Sequence, residues 1–197
     1  SSYLRNDNIL SLYHVISGYS QCEILIHSSK KLREDMETFT LWVQSYFSIR
    51  DGFSWMQITL FNAKNDYEAL DLFFELWQLF LAEKLLETNS PTSTFFSNNE
   101  VVTISDLITS VIQYTNRAQS FKSIHCLTSF IDGVYLFCDF NNTNGIIDDK
   151  FLEFKKHLIN IYNDTPSNNW RKLIMLHNGT DFDSYQAFVA LWEEYQT

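Results

Sequence analysis

The feature that most constrains this chain is an internal repeat with a constant offset of 115 residues. Between about residues 9 and 80, each position can be laid over the residue 115 places later without a gap. The retained pairs are mainly large apolar residues: Ile9/Ile124, Leu12/Leu127, Ile16/Ile131, Gly18/Gly133, Phe39/Phe154, Trp55/Trp170, Asp66/Asp181, Phe73/Phe188, Leu76/Leu191 and Trp77/Trp192. A gapless frame that keeps two tryptophan pairs and a glycine pair indicates a tandem duplication.

Each repeat predicts two helices, a short strand and a third helix. Apolar residues recur at helical spacing in three segments of each repeat. In the fourth, a short run of alternating polar and apolar residues follows residues that end a helix. The predicted ranges are 9–26, 36–47, 55–61 and 66–80 in the first repeat, and 123–140, 151–162, 170–176 and 181–192 in the second. Since a lone strand leaves its backbone unsatisfied, we expect the two strands to pair with each other or with an extended piece near Tyr3-Leu4 or Val101-Val102.

The predicted fold class is mostly α with a small β component (α+β), built from two tandem α-α-β-α repeats related by a pseudo-two-fold axis. The predicted organisation is a first repeat over 1–86, a linker loop over 87–104, a bridging helix over 105–122 that Ser105 caps, and a second repeat over 123–197. The counterpart of the bridging helix would precede residue 1. We therefore expect that this sequence lacks a native N-terminal segment.

Composition supports helices around an aromatic core, since only 5 Gly and 2 Pro stand against 17 Phe, 10 Tyr and 5 Trp. This argues against β-sandwiches and against glycine-rich nucleotide loops. The chain carries 14 Lys and Arg against 24 Asp and Glu, a formal net charge of −10. Because a phosphate backbone would be repelled, nucleic-acid binding is not expected. The same charge favours a basic protein partner, since opposite fields steer association.

Cysteine usage predicts a reducing, cytoplasmic compartment. Cys22, Cys126 and Cys138 are odd in number, lack a CxxC spacing and lie in apolar helical stretches. The sequence also contains no apolar run as long as a membrane span, so no membrane partner is expected.

The sequence shows no pattern of catalytic or metal-binding residues. Its five histidines have no HExxH or Cys-His spacing, and there is no phosphate loop or nucleophile elbow. The equivalent residues Asp66 and Asp181 directly precede apolar helices, so helix capping is favoured over a catalytic carboxylate pair. We therefore predict a protein without enzymatic activity, metal or cofactor. An enzyme would require polar residues of both repeats to converge at the pseudo-two-fold cleft.

Several segments of the first repeat resemble those of a known group of proteins. They are Tyr3-Leu4, Ile9-x-x-Leu12-x-x-x-Ile16-x-Gly18-Tyr19, Phe39-x-x-Trp42-Val43-x-x-Tyr46, Trp55-x-x-Ile58-x-Leu60 and Glu68-Ala69-Leu70-Asp71-x-Phe73-Phe74-Glu75-Leu76. In these segments the chain is similar to small uncharacterised bacterial proteins of the immunity type, which occur beside polymorphic or contact-dependent toxins. Residues 123–197 resemble them more loosely, since Phe182-Asp183-Ser184-Tyr185 departs from the Glu-Ala-Leu-Asp form.

The resemblance implies an immunity protein that binds and neutralises a cognate toxin domain by masking its active or substrate-binding site. The alternative is a non-catalytic regulatory or scaffolding module that binds another protein. The expected partner is a basic toxin domain. The predicted partner-binding residues are acidic and fall on equivalent helices of the two repeats: Asp66, Glu68, Asp71, Glu75, Asp181, Asp183, Glu193 and Glu194.

Overall fold

A computed structural model of the chain describes residues 8–25, 31–49, 52–87, 102–118, 122–163 and 169–197. In these ranges the chain forms nine α-helices: α1 Ile9–Leu25, α2 Lys31–Tyr46, α3 Trp55–Asn62, α4 Asp66–Glu87, α5 Ile104–Ala118, α6 Ile124–Asn141, α7 Asp149–Ile161, α8 Trp170–Asn178 and α9 Asp181–Gln196. A 3₁₀ turn, Asn144–Ile146, precedes α7. The described residues include no β-strand, so this part of the protein is a helical bundle.

The predicted α+β fold class is wrong, because the two segments interpreted as strands, 55–61 and 170–176, lie in α3 and α8. A capping box starts α3: the Ser54 hydroxyl accepts the Gln57 backbone N–H at 3.3 Å, and the Gln57 side chain accepts the Ser54 backbone N–H at 2.9 Å. At the start of α8 the Asn169 side chain accepts a backbone N–H two residues later at 3.0 Å. Both segments therefore begin with helix caps.

The burial pattern of α3 explains why the strand interpretation failed. Trp55, Met56, Ile58 and Thr59 are buried, which is the spacing of one helical face, whereas a strand would bury every second residue. Polar Gln57 and Thr59 alternate with apolar Ile58 and Leu60, and that alternation imitates a strand. The Ser-x-x-Gln signature that starts at Ser54 was the signal for a helix.

The order of helices repeats with the offset seen in the sequence. Helices α1, α3 and α4 begin at residues 9, 55 and 66, and α6, α8 and α9 begin 115 residues later, at 124, 170 and 181. Helix α2 begins at Lys31, and its counterpart α7 begins at Asp149 because the 3₁₀ turn takes the place of its first turn.

The aromatic cores of the two repeats share their ring geometry. Phe39 and Phe73 lie 5.5 Å apart with an interplanar angle of 83°, and the counterpart pair lies 5.5 Å apart at 85°. Phe73 stacks on Trp77 at 6.0 Å, and the counterpart rings stack at 6.3 Å. Aromatic pairs of this kind add roughly 0.5–1.5 kcal/mol each beyond the burial of their area. The duplicated residues therefore build the same local packing twice.

Helices α1 and α6 join the two repeats through a pair of glycines. A Cβ atom on Gly18 would lie 2.0 Å from the backbone oxygen of Phe130, and one on Gly133 would lie 2.1 Å from the backbone oxygen of Val15. Since Val15 and Phe130 are themselves equivalent, this is one contact made twice, as a pseudo-two-fold axis between the helices requires. Only glycine permits two backbones to approach so closely.

In the described ranges, α5 has no equivalent helix in the first repeat. It packs on the second repeat through Ile104, Leu107, Ile108 and Ile112, which belong to the same hydrophobic cluster as α6, α7 and α9. The predicted linker over 87–104 and the suggested strand partners Tyr3-Leu4 and Val101 lie mostly or wholly outside the described residues.

The predicted cap of the bridging helix is wrong by two residues. The Thr103 hydroxyl accepts the backbone N–H of Asp106 at 3.3 Å, so Thr103 caps α5. Ser105 instead donates its hydroxyl to Oδ1 of Asp148 at 2.8 Å, and Asp148 also caps α7. Ser105 therefore ties α5 to α7.

Candidate functional site

Four of the predicted partner-binding residues lie exposed on α4: Asp66, Glu68, Asp71 and Glu75. Asp66 is the first residue of the helix. Glu68 accepts the backbone N–H of Lys64 at 3.2 Å and lies 3.9 Å from its ammonium group, so part of its charge is neutralised locally. Asp71 and Glu75 lie one turn apart, and we call these two residues the acidic edge of α4.

The other four predicted residues lie on α9, where only three are exposed: Asp183, Glu193 and Glu194. Asp181 is half-buried and accepts the backbone N–H of His125 at 3.1 Å. The same carboxylate oxygen lies 3.6 Å from Nε2 of His125. Asp181 thus holds the first turn of α6 with one of its two carboxylate oxygens.

The N-caps of α4 and α9 each lie one residue before the predicted ones, Asp66 and Asp181. Asn65 accepts two backbone N–H groups of α4, both at 3.0 Å, and Thr180 accepts one of α9 at 3.0 Å. These residues, and not Asp66 and Asp181, are the N-caps. Asp66 stands in the first turn of α4, where its charge faces the positive end of the helix dipole.

The two acidic sets belong to different helices, each packed on its own repeat. Helix α4 packs on α1, α2 and α3, whereas α9 packs on α6 and α8, and the repeats meet chiefly through α1 and α6. The described contacts do not bring the two sets into one site. The α4 set is the larger exposed cluster.

Sequence reasoning missed exposed apolar side chains that border the acidic edge of α4. Phe74 is 44% exposed and Leu81 is 40% exposed. They are seven residues apart, so they share one side of the helix. The half-buried side chains of Leu70 and Trp77 lie between these two residues and the core. We call the whole surface the α4 flank; its residues are Leu70, Phe74, Trp77 and Leu81.

A signal for this surface was present in the sequence. Helix α4 carries more large apolar residues than one core-facing stripe can hold, as in the run Leu70 to Leu81. A helix that is apolar on most of its circumference is covered on more than one side, or it presents an apolar surface. The prediction weighed only the acidic residues of this helix.

On α9 two residues of the corresponding surface are buried against α5. Tyr185 and Trp192, the counterparts of Leu70 and Trp77, are each only 1% exposed. The indole Nε1 of Trp192 donates to the Thr109 hydroxyl at 3.2 Å. Further along, the hydroxyl groups of Tyr185 and Thr115 lie 2.5 Å apart. Helix α5 therefore lies along this side of α9.

Two clefts, each of about 370 Å³, flank α1 and share Tyr13, Ser17 and Gln21. The cleft towards α2 contains Arg33 and Glu37, which pair with each other at 2.7 Å. The cleft towards α5 contains His14. Burial lowers the pKa of His14 to about 4, so its imidazole is neutral at pH 7.

The thiols are protonated at neutral pH. Burial raises the pKa of Cys22 to about 12, and it also raises the pKa of Cys126 and of Cys138 above the usual value. Protonated, packed thiols are poor nucleophiles. Within the described ranges, no group of three or more His, Cys, Asp or Glu side chains is placed to hold a metal ion. Nor does any described helix have the length and apolar character to cross a bilayer.

Compared with protein-family models, with curated proteins and with solved structures, the chain matches none of them. The resemblance to immunity-type proteins therefore stays a prediction that rests on the sequence segments quoted above.

Proposed function

We propose that this protein is an immunity protein that binds a cognate toxin domain in the bacterial cytoplasm and masks its active or substrate-binding site. The observation that carries the proposal is the exposed surface of α4, which presents the apolar side chains Phe74, Leu79 and Leu81 and the carboxylates Asp71 and Glu75. An apolar area rimmed by charge is the usual character of a protein-binding surface. The resemblance supplies the toxin as the partner.

The negative charge of this surface favours a basic partner. The whole chain has a net charge of −10, and the acidic edge of α4 places two carboxylates in solvent. A toxin domain that acts on a phosphate-bearing substrate needs a basic cleft. Opposite charges would speed the encounter with such a cleft, and burial of Phe74 and Leu81 would then slow dissociation.

The α9 set supports the proposal less strongly than the α4 set. Asp181 is bound to His125, and Asp183 accepts a hydrogen bond from the Thr180 hydroxyl at 2.6 Å. Glu193 and Glu194 remain exposed near the end of the chain. We therefore assign partner binding mainly to α4.

The deciding experiment co-expresses the protein with the toxin domain encoded beside it. We expect restored growth and a complex that co-purifies. Changing both Asp71 and Glu75 to Lys should slow association about tenfold or more at low salt, because it reverses the local charge. The matched control changes Asp149 and Glu153 of α7 to Lys. That pair has the same spacing, exposure and change in net charge, and it should leave association close to wild type.

Three outcomes would count against the proposal. Growth arrest that persists, with no complex, would reject the immunity role. A complex without restored growth would favour the alternative, a regulatory or scaffolding module that uses the same surface. Equal loss of association in the α4 and α7 variants would show that net charge acts without a defined face.

A further inference from the structure

We propose that the cleft between α1 and α5 is a binding site for a small uncharged aromatic molecule that carries an N–H or O–H hydrogen-bond donor. The described lining of this cleft contains none of the predicted partner-binding residues. The inference therefore does not rest on the immunity role. It assigns a class of ligand to a cavity that the sequence gave no reason to expect.

The cleft lies where the two repeats meet. Its volume is about 370 Å³, and its walls come from α1 of the first repeat, from the bridging helix α5 and from α6 of the second repeat. Ligand sites occur preferentially between packed units and between the helices of bundles, with volumes from about 300 Å³ upward. A molecule bound there would contact both repeats, so it would stabilise their junction.

The cleft is uncharged where the structure describes it. None of its described lining residues is Asp, Glu, Lys or Arg. Two titratable side chains in the lining, His14 and Tyr13, are also neutral at pH 7. Burial lowers the pKa of His14 to about 4, and burial together with the neighbouring Tyr114 raises the pKa of Tyr13. A charged ligand would lose its hydration here without an opposite charge to replace it.

The cleft on the other side of α1 provides a comparison within the same molecule. It has the same volume and shares Tyr13, Ser17 and Gln21 with the first cleft. Its lining also includes Arg33 and Glu37, which pair with each other at 2.7 Å. The two clefts thus share a wall and differ in charge, so ligands that differ only in charge should distinguish them.

The lining of the uncharged cleft suits an aromatic ring with a polar substituent. Phe130 and Leu107 supply apolar surface from α6 and α5. The Ser17 hydroxyl donates to the backbone oxygen of Tyr13 at 2.8 Å, so its own oxygen is left to accept a hydrogen bond. The exposed amide of Gln21 adds a donor and an acceptor. A ligand with an N–H or O–H group therefore meets acceptors on α1 and apolar side chains opposite them.

The test uses three probes of nearly the same shape: benzamide, which is neutral, benzoate, which is an anion, and benzamidine, which is a cation. Binding is followed by the shifts of backbone amide NMR signals and by thermal unfolding. We expect benzamide to bind at least about tenfold more tightly than either ion, because only the ions lose the hydration of a charge. The shifted signals should lie in α1, α5 and α6, and benzamide should raise the unfolding temperature.

A matched pair of variants locates the probe in the cleft. Tyr114→Glu places a carboxylate in the lining, so benzamidine should then bind at least about tenfold more tightly than benzamide. Gln113→Glu makes the same change in net charge at the adjacent exposed position, outside the described lining, and it should keep the order of the wild type. Both positions are exposed, and circular dichroism checks that both variants stay folded.

A third variant blocks the cleft without adding charge. Ser110→Trp introduces a large side chain at an exposed position of the lining, and it should abolish the benzamide shifts. Four results would overturn the inference: no binding of benzamide, equal binding of the three probes, shifts centred on the cleft that contains Arg33 and Glu37, or the same probe order in Tyr114→Glu and Gln113→Glu. None of them bears on growth rescue, so the proposed function stands or fails separately.

Discussion

The two repeats of this protein differ at their outer surface more than at their core. Their aromatic pairs have nearly the same distances and angles, and Phe39 and Phe154 are equally buried. On the outer side, α5 covers Trp192 in the second repeat, whereas Trp77 of the first repeat remains half-buried. The comparison teaches that the two cores pack alike, although among the described residues only the second repeat has a helix on this side.

The two repeats also differ in the charge of their outer helices, α4 and α9. Asp71 and Glu75 border the open side of the first repeat, and Gln186 and Ala190 occupy these positions in the second. All four positions are exposed, so the charge difference does not follow from burial under α5. An open surface can use them to select a partner and to keep copies of the chain apart.

The strongest test of this difference removes the equivalent tryptophans. Trp192→Ala should lower the free energy of unfolding by about 4 kcal/mol, because it leaves a cavity between α5 and α9. Trp77→Ala should cost about 2 kcal/mol, since its side chain is only half-buried. Urea unfolding of both variants measures the two values. Equal losses would mean that α5 does not make the repeats different.

The glycine pair tests the symmetry of the junction. Gly18→Ala and Gly133→Ala should each cost about 3 kcal/mol, because a Cβ atom would lie within 2.1 Å of a backbone oxygen across the helix pair. The double variant should cost less than the sum, since either change already separates α1 from α6. Gly145→Ala is the control, as a Cβ atom there would have no neighbouring atom within 4 Å. Additive losses would argue against a shared contact.

His14, whose counterpart is Ser129, should make the first repeat sensitive to acid. Burial lowers the pKa of His14 to about 4 in the folded state, against a usual value of about 6.5. Between these pH values the unfolded chain binds more protons, so stability is complete above pH 6.5 and is lost as the pH falls towards 4. This group alone should make the protein about 2 kcal/mol less stable at pH 5 than at pH 7.

The measurement compares urea unfolding of the wild type and of His14→Gln at the two pH values. Carboxylates contribute equally to both proteins, so the difference between them isolates His14. The same pH dependence in both proteins would contradict the prediction.

Helix caps give the smallest effects and test the segments that the sequence suggested as strands. Ser54→Ala and Asn169→Ala should each cost about 1 kcal/mol, because each removes the side-chain acceptor at the start of α3 or α8. Ser45→Ala, on the exposed side of α2, should change stability by less than about 0.5 kcal/mol. Cap variants that behave like this control would argue against helices at these positions.

The six longer helices of the repeats could be predicted from the sequence, because each spans enough turns for its apolar spacing to be distinctive. Helices α3 and α8 could not, since they have only 8 and 9 residues and their apolar runs fit either a strand or a helix. For α3, the spacing of Ser54 and Gln57 is that of a capping box, which indicates the start of a helix.

For the candidate site, the sequence identified carboxylates that the structure places in solvent, and their role in binding stays a prediction. The exposed carboxylates of α4 were among the predicted residues, but the apolar flank beside them was not, and Asp181 was assigned to a partner although it holds α6. A sequence lists which residues are apolar or charged. Whether a given one is covered depends on contacts made from distant parts of the chain.

By itself the sequence determined the repeat, the matched aromatic positions, the net charge and the order of the long helices, because all of these are periodic or compositional properties. Only the tertiary structure decided which side of which repeat is covered. Thr109 lies 83 residues from Trp192 along the chain, and Thr115 lies 70 residues from Tyr185. Local spacing carries no information about such contacts, so the open flank of α4 and the covered flank of α9 look alike until the chain is folded.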